Sequence, residues 1–238
     1  MNGAEALIDV LVRSDVDLCL ANPGTSEMQL VSAIDRVPGM RPVLALFEGV
    51  VTGAADGYAR MSGKPACTLL HLGPGLANGV ANIHNAQKAF SPMVNIVGDH
   101  ATYHRRYDTP LNADLEGIAR PVSHWLEAGR TPAQLAALGA AAVAQAGGVP
   151  GRIATLIAPA DAAWSELPAD FTPPAVHARP TLPRVGAKAI GDAVQAIRRA
   201  RQPMLLLGGQ ALLGDALVAA GRIAAHAGVR LHAETFNR

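Results

Sequence analysis

Along residues 1–160, short and continuous apolar runs alternate with longer segments in which apolar residues recur at helical spacing. We expect the short runs to be strands and the longer segments to be helices. The predicted strands cover residues 17–21, 42–47, 65–72, 91–100 and 151–159, and the predicted helices cover 4–16, 26–37, 48–63, 73–90 and 131–147. Because the strands are continuously apolar, this order indicates an α/β fold whose parallel sheet has helices on both faces.

The composition changes after residue 160. Residues 161–184 contain five prolines and little periodicity, which is typical of a linker. The alternation of helix and strand restarts in residues 185–238 and predicts two helices and two strands. Since two parallel strands cannot bury both of their faces, we interpret this segment as the beginning of a second, incomplete α/β domain.

Overall composition narrows the class of protein. Half of the residues (50%) are hydrophobic, 16% are charged and the net charge is +1, so the chain lacks the basic surface of a nucleic-acid-binding protein. No apolar run reaches the roughly 20 residues that span a bilayer, and the N-terminus does not resemble a signal peptide. Cys19 and Cys67 lie in apolar runs, which indicates buried thiols in a reducing cytoplasm. The nearest approach to metal-ligand spacing, His100 and His104, is followed by two arginines, so we expect no metal site.

Polar or titratable side chains follow four of the predicted strands. They occur at residues 22–27, at Glu48, at His71 with the glycines that follow it, and at residues 98–100. In parallel α/β sheets, ligands bind beyond the carboxyl ends of the strands. The sequence therefore predicts a cleft at this edge of the sheet.

Glu48 is the most unusual of these residues, because its neighbours Leu46, Phe47, Val50 and Val51 are all apolar. Burial of an unpaired carboxylate is costly, so this acid is either paired or has the function of holding a proton. A third interpretation is a carboxylate that begins a helix, where the helix dipole favours negative charge. We expect the four apolar neighbours to desolvate Glu48, which would favour the proton-holding role.

Simpler interpretations apply to other residues. His71 is also compatible with a hydrogen-bonded core histidine, and Ser26 with the N-cap of the second helix. Gly63 is predicted to end the third helix. Asp56 and Arg60, four residues apart on that helix, are most simply an ion pair worth about 0.3 kcal/mol.

Residues 47–99 resemble the N-terminal, pyrimidine-binding domain of thiamine-diphosphate enzymes. The similar motifs are, in order, Glu48, then "ADGYARMSGK", "GPGLAN" and "SPMVNIVGD". The resemblance covers about residues 1–160, and the segment after the linker resembles the start of the central domain of the same enzymes, acetolactate synthase and benzoylformate decarboxylase among them. The G-D-G motif of the family's diphosphate-binding domain, which holds Mg²⁺, does not occur in these 238 residues.

The resemblance implies roles for particular residues. It gives Glu48 the contact to N1′ of the cofactor's aminopyrimidine and the proton transfer that produces the C2 ylid. The implied cofactor-binding residues are Glu48, Gly73, Pro74, Gly75 and Asn78. The implied substrate-binding residues, by similarity to benzoylformate decarboxylase, are Asn22, Pro23, Gly24, Thr25 and His71. Thr25 falls on a serine that helps to bind the substrate carboxylate, and His71 on a histidine that relays protons to the covalent intermediates.

We therefore expect the N-terminal portion of a thiamine-diphosphate-dependent 2-oxo acid decarboxylase or carboligase. His71 and Thr25 favour the decarboxylase, whereas "GPGLAN" favours the synthases. The family implies a homodimer or tetramer with a shared active site, and Mg²⁺ held by the diphosphate domain; a flavin, which some synthases bind, is not indicated. The isolated chain is expected to be inactive. The alternative is a non-catalytic binding or assembly module that retains the fold.

Overall fold

A computed structural model describes residues 1–176, 180–181 and 183–235. The chain forms two compact units, Met1–Pro180 and Thr181–Arg238. The elements of the first unit are α1 (Gly3–Arg13), β1 (Leu18–Asn22), α2 (Met28–Arg36), β2 (Arg41–Leu44), α3 (Glu48–Ser62), β3 (Ala66–Leu70), α4 (Leu72–Lys88), β4 (Met93–Asp99), α5 (Leu115–Ala119), β5 (Trp125–Ala128), α6 (Pro132–Ala146), β6 (Ile153–Pro159) and α7 (Ala160–Trp164). Those of the second unit are α8 (Ala187–Arg199), β7 (Met204–Leu207), α9 (Gly214–Ala227) and β8 (Arg230–Ala233).

Six parallel strands form the sheet of the first unit, in the order β2-β1-β3-β4-β6-β5. One apolar core lies between this sheet and the helices α1, α2 and α6, and a second lies between the sheet and α3, α4 and α5. The predicted α/β fold, with a parallel sheet and helices on both faces, is confirmed. The inner strands β3, β4 and β6 are buried along their whole length, as the continuous apolar runs predict.

Local sequence signals explain several helix ends. Asn2 and Glu5 form a capping box at the start of α1, in which each side chain accepts the other residue's backbone N–H. Helix α3 ends at Gly63, as predicted, and this residue adopts a left-handed conformation with φ of 71°. Thr131 caps α6, whose first residue is Pro132.

The predicted N-cap at Ser26 is wrong. Thr25–Glu27 forms a turn of 3₁₀ helix, and α2 begins only at Met28. The reason is tertiary, because the Glu27 side chain folds back to accept the backbone N–H of Gly24 and to reach a residue of another element. Strand β2 is also shorter than predicted, and its side chains are exposed at the edge of the sheet.

Two short elements lie where the sequence predicted none. Strand β5 has four residues at the other sheet edge, too few for a periodic signal, and it pairs with β6. Helix α7 occupies the first residues of the predicted linker 161–184, and its alanines Ala162 and Ala163 are buried in the core that α1 and α6 share. That part of the linker prediction is wrong, and the predicted domain division otherwise stays a prediction.

In the second unit, the observed order of helix, strand, helix and strand agrees with the prediction. Strands β7 and β8 form a two-stranded parallel sheet. Of its described residues, only Ala220 and Val229 are buried. No helix in the described ranges of either unit is long and apolar enough to cross a membrane.

Candidate active site

Glu48 and His71 both lie at the sheet edge formed by the carboxyl ends of the strands. Glu48 is the first residue of α3 and His71 immediately precedes α4. A Cβ atom placed on Gly75 would lie 2.9 Å from Oε1 of Glu48 and 3.2 Å from Cβ of His71. Gly75 therefore lies against both residues, which end up at the same edge of the sheet, where the cleft was predicted.

Glu48 is a buried carboxylate, only 7% exposed, without a cationic partner among the described ion pairs. Nδ2 of Asn78 donates a hydrogen bond to its Oε2 over 3.0 Å. Its position at the N-terminus of α3 also places it where the helix dipole favours negative charge, so the helix-start interpretation is geometrically correct. These features hold the carboxylate in one orientation.

The predicted cause of this burial is wrong for three of the four apolar neighbours. Leu46, Phe47 and Val50 are 91%, 49% and 57% exposed, and only Val51 is buried. Helix α4 covers Glu48 instead, through Gly75 and Asn78. The three exposed residues form an apolar surface beside the buried acid.

Close packing of α3 on α4 fixes the start of α3. The Thr52 hydroxyl donates to the carbonyl of Gly79 over 3.1 Å, and Nδ2 of Asn82 donates to the carbonyl of Gly49 over 2.7 Å. A Cβ atom on Gly79 would lie 2.9 Å from Cγ2 of Thr52, so the glycine permits this approach. Sequence reasoning missed Thr52 and Asn82, although Asn82 follows Asn78 by one helical turn on the same face.

His71 is paired with Glu27, which the sequence analysis placed at the cleft among residues 22–27 without giving it a role. Its Nδ1 lies 2.7 Å from Oε2 of Glu27, and the same oxygen accepts the backbone N–H of Gly24 over 2.7 Å. Glu27 is fully buried, and burial raises the pKa of its carboxyl, against the opposing effect of the Gly24 and His71 contacts. The imidazole ring lies against Gly24, where a Cβ atom would overlap it.

The backbone at this point is strained. Leu72, the residue after His71, is buried and has φ of 45°. A left-handed conformation at a non-glycine residue costs about 1–3 kcal/mol and is concentrated at functional sites. The strain accompanies the abrupt change from β3 to α4 that presents His71 at the sheet edge.

The other residues that were predicted for the site lie around Glu48 and His71. Thr25 is exposed and lines a cavity of about 250 Å³ together with Ser26, His100, His104 and Trp164, among others. Asn22 ends β1. Gly73 is buried against Ala113, whereas Pro74 is exposed in the first turn of α4. The structure thus groups Glu48, His71, Gly75, Asn78 and Gly24, and places Thr25 at a neighbouring cavity.

At the end of β4, Asp99 is also buried, and burial raises the pKa of its carboxyl while Arg105 opposes this from 3.4 Å. Nε2 of His100 donates to the carbonyl of Pro110 over 3.0 Å. In the part of the chain that the structure describes, no three His, Cys, Asp or Glu residues are arranged to hold a metal ion.

Residues 1–120, just over half of the chain, match the family described as thiamine pyrophosphate enzyme, N-terminal TPP binding domain. The chain belongs to the thiamine-diphosphate enzyme family. The resemblance deduced from Glu48 and the three motifs that follow it is therefore confirmed. This membership favours an enzyme over a non-catalytic module with the same fold.

Individual members of the thiamine-diphosphate enzyme family are similar to this chain. The chain is 50% identical over 239 residues to the proposed acetolactate synthase large subunit IlvX of Mycobacterium tuberculosis strain H37Rv. This match covers 99% of the chain and 45% of that protein. The chain is 32% identical over 121 residues to benzoylformate decarboxylase of Pseudomonas aeruginosa, which covers 50% of this chain and 22% of that enzyme. The chain thus spans less than half the length of these relatives.

A solved structure gives the same result for the fold. The chain superposes on the structure of a proposed thiamin diphosphate-dependent enzyme isolated from Mycobacterium smegmatis with a TM-score of 0.87 and 25% identity. The match covers 100% of this chain and 45% of that enzyme's chain. The α/β fold is thus that of a thiamine-diphosphate enzyme.

The residues around Glu48 suit the aminopyrimidine of thiamine diphosphate. Oε2 is occupied by Asn78, whereas no hydrogen bond to Oε1 is found among the described residues. Oε1 faces the space above Gly75, which any side chain would fill. A fixed carboxylate with one free oxygen is suited to a ring nitrogen that must gain and lose a proton.

Proposed function

We propose that this chain supplies the pyrimidine-binding half of the active site in a thiamine-diphosphate-dependent 2-oxo acid decarboxylase or carboligase. The observation that carries the proposal is the buried Glu48 at the start of α3, with Oε2 held by Asn78 and Oε1 facing Gly75. Thiamine diphosphate, when bound, supplies the carbon nucleophile and the electron sink that decarboxylation of a 2-oxo acid requires.

In this proposal Glu48 holds and releases a proton at Oε1. Asn78 keeps the carboxylate in its orientation through Oε2, and α4 excludes water from that side. His71, adjacent to Glu48 above Gly75, transfers protons to and from the reacting 2-oxo acid. Thr25 at the neighbouring cavity is the proposed contact of the substrate carboxylate.

The proposal extends to partners and ions. A second copy of this chain is the partner that we expect at the exposed apolar surface of Leu46, Phe47 and Val50, because this surface lies beside the buried acid. Mg²⁺ is assigned to a diphosphate-binding domain and not to these residues. A cytoplasmic location also remains part of the proposal.

Turnover measurements test the proposal. The complete protein carrying this sequence, with Mg²⁺ and thiamine diphosphate, is assayed against aromatic and aliphatic 2-oxo acids. Glu48→Gln should lower kcat by about 10²–10⁴-fold, because the amide cannot transfer the proton. His71→Ala should lower it within the same range.

The matched control is Glu116→Gln, an exposed carboxylate on α5, which should keep wild-type turnover. Formation of free aldehyde would identify a decarboxylase, and formation of a 2-hydroxy ketone from two substrates would identify a carboligase. Full activity of Glu48→Gln would contradict the proposal.

A further inference from the structure

The structure assigns a function to Glu27: we propose that it is a positioning residue that keeps the His71 proton on Nδ1, so that Nε2 can accept a proton at the cleft. This inference deepens the proposed function and rests on it, because it concerns the state of His71 before any substrate arrives. Glu27 ends the stretch "NPGTSE", which resembles benzoylformate decarboxylase, but the resemblance gave a role only to the residues before it.

The hydrogen bonds at Oε2 of Glu27 determine which atom carries the proton. This oxygen accepts the backbone N–H of Gly24, and a backbone N–H can only donate. In the ionised state that we propose for Glu27, the carboxylate has only acceptors, so the contact of 2.7 Å to His71 requires that Nδ1 is the donor. Neutral imidazole carries one proton, which leaves Nε2 as an acceptor.

Nε2 of His71 lies against Gly24, and no polar group of the described residues occupies it. Within the described ranges, no hydrogen bond to Nε2 of His71 is found, and the side chain is 21% exposed. His71 occupies the N-cap position of α4, but its side chain makes no capping hydrogen bond, since the ring is directed to Glu27 instead. A histidine at a helix start that neither caps the helix nor lies fully in the core is free to act at the cleft.

Two glycines hold the pair in place. A Cβ atom on Gly24 would overlap the imidazole ring, and a Cβ atom on Gly98 would overlap Oε1 of Glu27. The ring and the carboxylate are therefore confined by backbone on both sides. Confinement of this kind reduces the number of rotamers that either side chain can adopt.

A purely structural role does not explain a carboxylate at this position. Glu27 is completely buried, and its Oε1 has no hydrogen-bond partner among the described residues. A buried acceptor without a partner destabilises the fold, and an apolar side chain of similar volume would avoid that effect. The carboxylate gains a function only through His71, whose charged form it stabilises once Nε2 has accepted a proton.

The proton balance of the step is simple. Nε2 of His71 accepts one proton from the reacting group and later returns it, while the proton on Nδ1 stays on the ring. Glu27 remains ionised throughout, and its negative charge offsets the positive charge of the imidazolium. No bond other than those to the transferred proton forms or breaks.

Nitrogen NMR of the histidine ring tests this assignment without any turnover. The 238-residue chain, labelled with ¹⁵N, is examined by long-range ¹H–¹⁵N correlation at a pH where His71 is neutral, and His71→Gln identifies the resonance. We expect wild-type His71 to be protonated at Nδ1. Protonation at Nε2 in the wild-type chain overturns the proposal, whatever the enzyme activity turns out to be.

Two variants of Glu27 distinguish the effect of its hydrogen-bond acceptor from the effect of its negative charge. Glu27→Met removes the acceptor and should abolish the preference for Nδ1–H, whereas Glu27→Gln retains a carbonyl acceptor and should retain it. Glu116→Met, which removes an exposed carboxylate of α5, should leave the His71 signals unchanged. Retention of the preference in a folded Glu27→Met variant overturns the proposal, and the wild-type spectrum remains decisive if that variant does not fold.

The complete, cofactor-loaded protein supplies the second measurement. Glu27→Met should lower kcat at least about tenfold with little change in KM, since it impairs proton transfer and not substrate binding. The double variant Glu27→Met with His71→Ala should have the same kcat as His71→Ala alone, because Glu27 acts only through His71. Wild-type kcat in Glu27→Met overturns the positioning role, while absence of turnover in the wild-type protein counts against the proposed function alone.

Discussion

Gly75 shows how the absence of one side chain shapes the site. Its Cα faces Oε1 of Glu48 and Cβ of His71, and a methyl group there would approach Oε1 to 2.9 Å. Real Cβ atoms almost never come so close to another heavy atom, so the carboxylate would have to move. The position of Glu48 therefore depends on a glycine in the facing helix as much as on its own helix.

The variant Gly75→Ala tests this dependence. Turnover of the complete protein should fall at least about tenfold, because a misplaced acid transfers protons poorly. Gly57→Ala on α3 is the matched control, since a Cβ atom there meets nothing within 4 Å. That control should keep its activity and gain about 0.5–1 kcal/mol in free energy of unfolding, which urea denaturation measures. Equal turnover of the two variants would contradict the predicted displacement.

The raised pKa of Glu27 predicts a pH-dependent stability. Burial favours its protonated form, so its contribution to the free energy of unfolding is complete below the usual pKa of 4.5 and is lost as the pH rises through the raised value. The glutamine side chain in the variant Glu27→Gln does not titrate. The stability of this variant relative to wild type should therefore increase in urea denaturation as the pH rises above 4.5. A difference that is constant or decreases over this range would show that Glu27 is not desolvated in the fold.

At the scale of elements, the contact between α3 and α4 is what places Glu48. Thr52 donates to the carbonyl of Gly79 and its methyl group fills the space beside that glycine. The Thr52 hydroxyl lies within 3.4 Å of the carbonyls of Glu48, Gly49 and Gly79 and can donate its one proton to any of them, so the side chain cannot easily rotate away from an added atom. The contact is thus stiff and sensitive to a single methyl group.

Gly79→Ala should lower the free energy of unfolding by about 1–3 kcal/mol, because it overpacks this contact. Thr52→Ser removes the methyl group that the new Cβ atom would approach to 2.9 Å but retains the hydroxyl. The double variant Gly79→Ala with Thr52→Ser should recover part of the loss in urea denaturation. If the effects of the two substitutions on the free energy of unfolding were strictly additive, Gly79 of α4 and Thr52 of α3 would not be in contact.

The long elements were predictable from the sequence because their signals are local. Continuous apolar runs marked β3, β4 and β6, and helical spacing together with Gly63 marked α3. The short strand β5 and the short helix α7 carry no such signal, since each has too few residues for a period. Their positions follow from pairing with β6 and from burial of alanines against other helices.

In the candidate site, too, local sequence signals were predictive and contacts between distant residues were not. Glu48 and His71 could be predicted because each follows a strand of a parallel sheet. Glu27 lies in the stretch 22–27 that was placed at the cleft, but its role could not be predicted, since its contacts with His71 and Gly98 bring together residues far apart in the sequence. The cause of Glu48 burial was mistaken for a similar reason, because its sequence neighbours are exposed and a distant helix covers it.

At the scale of the molecule, the exposed apolar surface of Leu46, Phe47 and Val50 is the proposed contact with a second copy of the chain. Leu46→Asp should shift the complete protein towards monomers in sedimentation velocity, because it places a charge in that contact. Met61→Asp is the matched control, since Met61 is 90% exposed at the opposite end of α3. An unchanged sedimentation coefficient for Leu46→Asp would place the contact elsewhere or exclude the assembly.

The central claim is that Glu48 is the acid that activates bound thiamine diphosphate. The most direct test is the rate at which the C2 proton of the cofactor exchanges for deuterium in the complete, Mg²⁺-loaded protein, measured by NMR after acid quench. Glu48→Gln should slow this exchange by about 10²–10⁴-fold with the cofactor still bound, whereas Glu116→Gln should exchange at the wild-type rate. Exchange at the wild-type rate in cofactor-loaded Glu48→Gln would contradict the account.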